Sequence, residues 1–283
     1  MSELRARYIL AAPSTAVFLL CFVAPLSFFL ILSVFQITSY KLDTTLTLKN
    51  YTDIWTEAEY FRSLTYTFAV AIAVALFVTV MAFAFAYFVR FNAGKYATPL
   101  IFVALITLFG GYLTKVYVWK TILGQTGILN AALMAIGVIE EPIGFLLYSP
   151  WAVILTLGHY LMPLAVLPIY GSLRNISDTP LRSARDLGAS RWRVFSEIIL
   201  PQARVGIVFA FALSFLFAAG DYVTPLLVGG PNTSMLGVII QLQFGMRFNA
   251  PLGAAMAFTV IAVCIAIIWL FDRLLARALR VPS

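Results

Sequence analysis

Apolar stretches long enough to cross a bilayer recur six times along this 283-residue chain, at about residues 8–37, 63–89, 98–119, 150–173, 205–228 and 251–271. A spanning helix needs about 20 apolar residues, because lipid offers no partner to an open backbone N–H or C=O and a helix satisfies these groups within one segment. The composition agrees: 62% hydrophobic, 11% charged and a mean hydropathy of +0.95 leave too little polar surface to clothe a soluble globule. The chain therefore reads as an all-α integral membrane protein with six transmembrane helices in one domain, residues 1–283. Its first run follows Arg5 and Arg7 and is too long for the apolar core of a signal peptide, about 7–15 residues, so an uncleaved span is expected, with kinks at Pro13 and Pro25.

Six spans place the connecting segments alternately on two sides, and the charges test that placement. Segments assigned inside hold 13 of the 19 Lys and Arg, those outside 6; of the 12 acids, 5 lie inside and 7 outside. The asymmetry favours both termini in the cytoplasm. The net charge of +7 is thus a matter of membrane orientation and does not call for nucleic acid.

Several chemistries are excluded. Cys21 and Cys264 both lie inside apolar runs, and His159 is the single histidine, so neither a disulfide framework nor a His/Cys metal site is expected. No stretch matches G-x-x-x-x-G-K-[ST], so the chain has no phosphate-cradling loop. No catalytic set of Ser, His and Asp or of paired carboxylates is close in sequence, and no enzyme activity is expected.

The polar interruption between the fourth and fifth runs, Ser177 to Gly206, is rich in arginine. Asp178 or Thr179 can cap a helix that Pro180 opens and Gly188 ends in the left-handed conformation; Ser190 restarts a second helix, which Pro201 closes. Leu181, Ala184, Leu187 and Gly188 form an apolar edge, with Arg182, Arg185 and Asp186 facing elsewhere. Taken alone, this is either a docking helix or a basic loop held at anionic lipid heads. The set Ala184, Leu187, Gly188, Ala189, Ser190, Phe195, Leu200 and Pro201 resembles the EAA loop of permease subunits of ATP-binding-cassette (ABC) importers, with Arg182 where that family usually carries Glu and Val205 in place of a frequent proline.

Asp221 falls at the outer part of the fifth run, where a lipid-facing carboxylate costs about 3 kcal/mol, so it should face a cavity or a partner. Two roles suit it: pairing with Lys115 or Lys120, or contact with a cationic substrate. The run Gly220 to Pro231, followed by Gln241, Gln243, Phe244 and Pro251 to Ala255, resembles spermidine/putrescine-type permeases. So do Tyr117, Trp119, Leu123, Gly124, Gly127 and Asn130, with Lys115 where those permeases often have Arg.

The resemblance implies a type I importer permease (MetI-like) fold in a bacterial inner membrane, with residues 177–204 as the cytoplasmic coupling loop. It implies ATPase coupling through Pro180, Leu181, Ala184, Arg185, Leu187, Gly188, Ala189 and Ser190. It also implies a substrate path through Asp221, Tyr222, Thr224, Gln241, Gln243, Tyr117 and Trp119. Tyr117, Trp119, Tyr222 and Phe244 are candidates for cation–π contact with an ammonium, worth about 0.5–2 kcal/mol each. The implied partners are a second homologous permease, two cytoplasmic ATPase subunits carrying the ATP and Mg, and a periplasmic or lipid-anchored binding protein. Related permeases serve opines or aminophosphonates, and a secondary carrier is the alternative class. Between the spans, an interfacial helix is expected near residues 128–136 and a short one at residues 236–244, with His159 satisfying a carbonyl freed by the prolines of its span.

Overall fold

A computed structural model describes residues 2–230 and 234–279, with side chains from residue 10 onward; Pro231, the end of the run from Gly220, lies outside the described residues. Among the described residues, five helices are long and apolar enough to cross a membrane: Leu10–Ser33, Ala58–Phe91, Pro150–Arg174, Arg191–Gly220 and Ala250–Ala278. A bent pair, Gly94–Phe109 with Tyr112–Ala135, makes a sixth if taken as one crossing. The chain divides into two compact units, Met1–Arg62 with Ile239–Ile261, and Ser63–Val238 with Ala262–Ser283.

In the first unit, α1 (Ser2–Phe18) and α2 (Ala24–Ser33) are joined through a π turn at Leu19–Val23. The expected continuation of this run to residue 37 is corrected: the helix stops at Ser33 and the chain enters a hairpin of β1 (Gln36–Thr38) and β2 (Lys41–Asp43). Ser39 and Tyr40 between them both have positive φ, 51° and 60°, the backbone of a two-residue turn whose twist matches the strands. The end of α2 is held by Asn50 of α3 (Lys49–Thr56), whose Nδ2 donates to the carbonyls of Ser33 (3.0 Å) and Phe35 (2.6 Å) and so satisfies acceptors that a helix end leaves open.

The second unit is built on α4 (Ala58–Phe91), which buries Ala71, Val74, Ala75, Val78, Ala82, Ala86 and Val89 along one face at helical spacing. The third apolar run does not form the straight span expected over residues 98–119. Helix α5 (Ala97–Ile106) ends in a 3₁₀ turn at Thr107–Phe109, the chain is extended at Gly110 and Gly111, and α6 (Tyr112–Leu123) leaves at 93°. Two consecutive glycines each cost a helix about 1 kcal/mol relative to alanine, which is why the break falls there. Beyond it, α7 (Ile128–Ala135) forms where a short helix was expected near residues 128–136, tied down by Asn130, which donates to the carbonyls of Gly124 and Ile143 and accepts from the Ile143 N–H.

Helix α8 (Pro150–Arg174) buries Leu157, Leu161, Ala165, Ile169 and Leu173 every fourth residue. After it come α9 (Asp178–Asp186), α10 (Arg191–Val194), a π turn at Phe195–Ile199, and α11 (Leu200–Gly220). Helices α8 and α11 approach closely where Gly206 faces α8: a Cβ there would fall 2.5 Å from the Pro168 carbonyl oxygen. The described chain closes with a π turn at Pro225–Gly229, α12 (Leu236–Gly245) and α13 (Ala250–Ala278).

The π turns at Leu19–Val23 and Phe195–Ile199 share a cause. Each ends two residues before a proline, and the last N–H ahead of that proline reaches five residues back, Ala24 to Leu19 and Leu200 to Phe195. A proline ring inside a regular helix collides with the carbonyl four residues earlier and offers it no donor; one extra residue in the turn relieves both problems. Pro201 therefore does not close the second helix of the loop, as its residue type suggested. The helix runs through it, from Arg191 to Gly220.

Candidate functional site

The loop between α8 and α11 is a helix-turn-helix whose two helices are both capped. The cap of α9 is Ser177, whose Oγ accepts from the Thr179 N–H (3.3 Å), rather than Asp178 or Thr179; Pro180 lies in the first turn, where no N–H is needed. At the other end Gly188 has φ +84°, with its N–H on the Arg185 carbonyl and the Ala189 N–H on that of Ala184, both 2.9 Å. This pair of bonds closes a Schellman turn, which a left-handed glycine makes without strain. Ser190 then caps the next helix, accepting from the Arg193 N–H at 3.2 Å.

Two contacts fix this element to the spans. Arg90, in the last turn of α4, donates to Asp178 Oδ1 (2.7 Å) and to the Ile176 carbonyl (3.1 Å). The Arg90 guanidinium holds the Asp178 carboxyl below the usual carboxylate range. Phe195 stands edge-on to Phe83 and Tyr87 of α4, at 6.0 and 5.7 Å. The expected apolar edge splits in two: Leu181 is buried and Ala184 half-buried against the protein, while Leu187 is 88% exposed, as is Trp192 at 72%. Arg182, Arg185, Arg191 and Arg193, on α9 and α10, are all exposed. Leu187 and Trp192 are thus two large apolar side chains exposed on a polar element that also carries exposed arginines.

At the far end of α11 the helix stops at Gly220, and Asp221 is extended (φ −76°, ψ 133°), so the fifth helix does not continue regularly to Val228 as expected. The Asp221 carboxylate accepts from the backbone N–H groups of Val223 (3.1 Å) and Thr224 (3.2 Å), capping the turn that follows. Its third partner is the Tyr112 hydroxyl, which donates to Oδ1 at 2.6 Å and lies 2.6 Å from Thr224 Oγ1. Neither Lys115 nor Lys120 pairs with Asp221 among the described residues. The Tyr112 ring packs on Tyr160 (4.9 Å) and Phe217 (6.0 Å), which contact each other at 5.2 Å. Asp221 is 7% exposed and Thr224 0%, so the carboxylate is held in an aromatic, largely water-excluded corner where α6, α8 and α11 meet.

Residues 95–280 match the family described as the binding-protein-dependent transport system inner membrane component, more than half of the chain. The chain belongs to this family. The spermidine/putrescine transport system permease protein PotB of Escherichia coli K12 is 32% identical to it over 234 residues, 82% of this chain and 84% of its own. PotB of Salmonella typhimurium LT2 is 35% identical over 181 residues, and the chain spans 63% of the length of that relative. A chain in the crystal structure of a bacterial ABC transporter involved in import of the acidic polysaccharide alginate superposes with a TM-score of 0.75, covering 98% of this chain and 97% of its own, at 17% identity. The fold is thus that of an ABC-importer membrane subunit.

The residues expected to form a substrate path are divided between the two compact units. Asp221 and Thr224 meet at the Tyr112 corner, while Tyr222 beside them is 43% exposed. Tyr117 is 55% exposed on α6. Trp119 donates its indole N–H to His159 Nδ1 at 3.2 Å, so the imidazole accepts from a side chain instead of serving a proline-freed carbonyl. Gln241 and Gln243 lie on α12 in the other compact unit, the first exposed and the second 1% exposed. Tyr112, Tyr160 and Phe217 were not legible as site residues. They are scattered over more than a hundred positions, and aromatic residues make up 15% of the chain, so no spacing distinguished them.

Proposed function

We propose that this chain forms one half of the membrane pathway of an ATP-driven importer for polyamines or a similar small cationic amine. A second homologous permease completes the pathway, two cytoplasmic ATPase subunits dock at Leu187, Gly188 and Trp192, and a periplasmic or lipid-anchored binding protein delivers cargo at the outer loops. ATP and Mg belong to the ATPase subunits; the role of this chain is to receive motion and to expose and close a path.

The observation that carries this reading is a single helical rod, Arg191–Gly220, running from the docking turn at Gly188 to the Asp221 corner. At 1.5 Å per residue, its 30 residues span about 45 Å, enough to cross the bilayer. A rotation imposed on the docking surface is therefore delivered to the carboxylate without passing through a flexible joint. Fixing the docking element to α4 through Arg90 and Phe195 makes α4 move with it. At the outer end, a buried carboxylate beside three aromatic rings suits an alkylammonium, and the relatives named for spermidine and putrescine support that class.

The test is uptake of labelled putrescine by vesicles holding the complete transporter. Asp221→Asn keeps one oxygen for Tyr112 and the Val223 N–H and removes the charge together with the acceptor for the Thr224 N–H, so it should still assemble and lose uptake at least tenfold. Unchanged uptake would return Asp221 to a purely structural role.

A further inference from the structure

Lys115 lies one turn along α6 from Tyr112 and is only 8% exposed, yet its Nζ has no hydrogen-bond partner among the described residues. Its stem rests against the helix break, where a Cβ on Gly110 would fall 3.4 Å from Lys115 Cε. The ammonium itself stands 5.2 Å from the centre of the Tyr160 ring, the ring that also packs on Tyr112 and Phe217. The Asp221 carboxylate does not pair with it and is engaged by Tyr112 and by two backbone N–H groups. A buried ammonium without an acceptor is costly, and the face of an aromatic ring is the attraction that offsets part of that cost here.

We infer that the face of Tyr160 is a binding site for a primary alkylammonium, and that Lys115 occupies it as a tethered surrogate which the ammonium of cargo displaces. The inference rests on the amine-transport reading above and identifies where in the membrane the amine is held. A lysine side chain is four methylenes ending in a primary ammonium, chemically close to one end of an aliphatic diamine. A site that holds one accepts the other. Because the surrogate is covalently attached, it competes at high effective concentration, so cargo occupies the ring only briefly; a weak site suits a path that must release what it takes up. The same occupant keeps the corner filled when no cargo is present.

The experiment is equilibrium binding of labelled putrescine to the purified transporter, both permeases with their ATPase subunits, in the absence of binding protein. Lys115→Met keeps the length and apolar stem and removes the competing charge; it should bind putrescine about tenfold more tightly than wild type. Adding Tyr160→Leu to that variant should abolish the gain, and Lys115→Arg, which keeps a tethered cation, should bind as wild type does. Weaker binding by Lys115→Met overturns the inference and marks Lys115 as the partner of a cargo anion. Equal binding overturns it as well. If neither protein binds putrescine while the intact system takes it up, the site is disproved and the transport function stands; if the intact system takes up none, both fall.

Discussion

Removing one hydroxyl, that of Tyr112, tests whether the outer corner is held together as described. Tyr112→Phe keeps the ring contacts with Tyr160 and Phe217 and deletes the bond to Asp221 and the contact with Thr224. In a soluble protein, a hydrogen bond to a carboxylate contributes about 1.5–3 kcal/mol and a neutral one about 0.5–1.5 kcal/mol. Between membrane helices, the measured coupling of polar pairs averages about 0.6 kcal/mol and reaches about 1.7, since the unfolded state in lipid also finds partners. The Tyr112–Asp221 pair should lie near the top of that membrane range, because its acceptor is a carboxylate and its donor–acceptor distance is 2.6 Å. A double-mutant cycle of Tyr112→Phe and Asp221→Ala, read by detergent unfolding of the purified complex, should give a coupling of about 1–2 kcal/mol. A coupling below about 0.5 kcal/mol would refute the view that Tyr112 fixes the carboxylate.

Gly188 gives a second prediction. The space beyond its Cα is open, so only its φ of +84° opposes a side chain. Gly188→Ala should cost the turn about 1–2 kcal/mol and lower uptake with normal insertion, while Gly188→Asn, which tolerates the left-handed conformation, should keep most of the uptake. A third prediction concerns the tie between Arg90 and Asp178. A carboxyl held below its ordinary value near 3.8 contributes fully above that value and loses its contribution as pH falls through the lowered one. Hydrogen exchange of the α9 amides should therefore show no pH-dependent loosening of this tie between pH 5 and 8, and Asp178→Asn should show increased exchange throughout that range.

The positions where sequence and structure diverge have physical causes that can be named. The apolar runs were readable because lipid leaves few options for a long apolar segment, and the helix at residues 128–135 because glycines bound it on both sides. Gly188 was readable because only a glycine turn explains an isolated glycine between two polar helical stretches. Pro201 misled, since proline usually ends a helix; the π turn at Phe195–Ile199 that absorbs it leaves no mark in composition. The bend at Gly110–Gly111 was hidden inside a run whose hydropathy alone predicts a straight crossing. Asp221 stood out as a charge in an apolar run, but its partner did not, because Tyr112 lies 109 residues away and is one of 13 tyrosines. Opposite charge pointed to Lys115; the structure pairs the carboxylate with a neutral phenol and sets the lysine on a ring.

The account depends on Leu187 and its neighbours meeting an ATP-hydrolysing partner. A single cysteine at position 187, with Cys21 and Cys264 replaced, can be cross-linked in membranes that are actively taking up putrescine. A link to the nucleotide-binding subunit whose yield changes when ATP is bound is the result predicted. Uptake running at full rate with no link to any nucleotide-binding protein would contradict it.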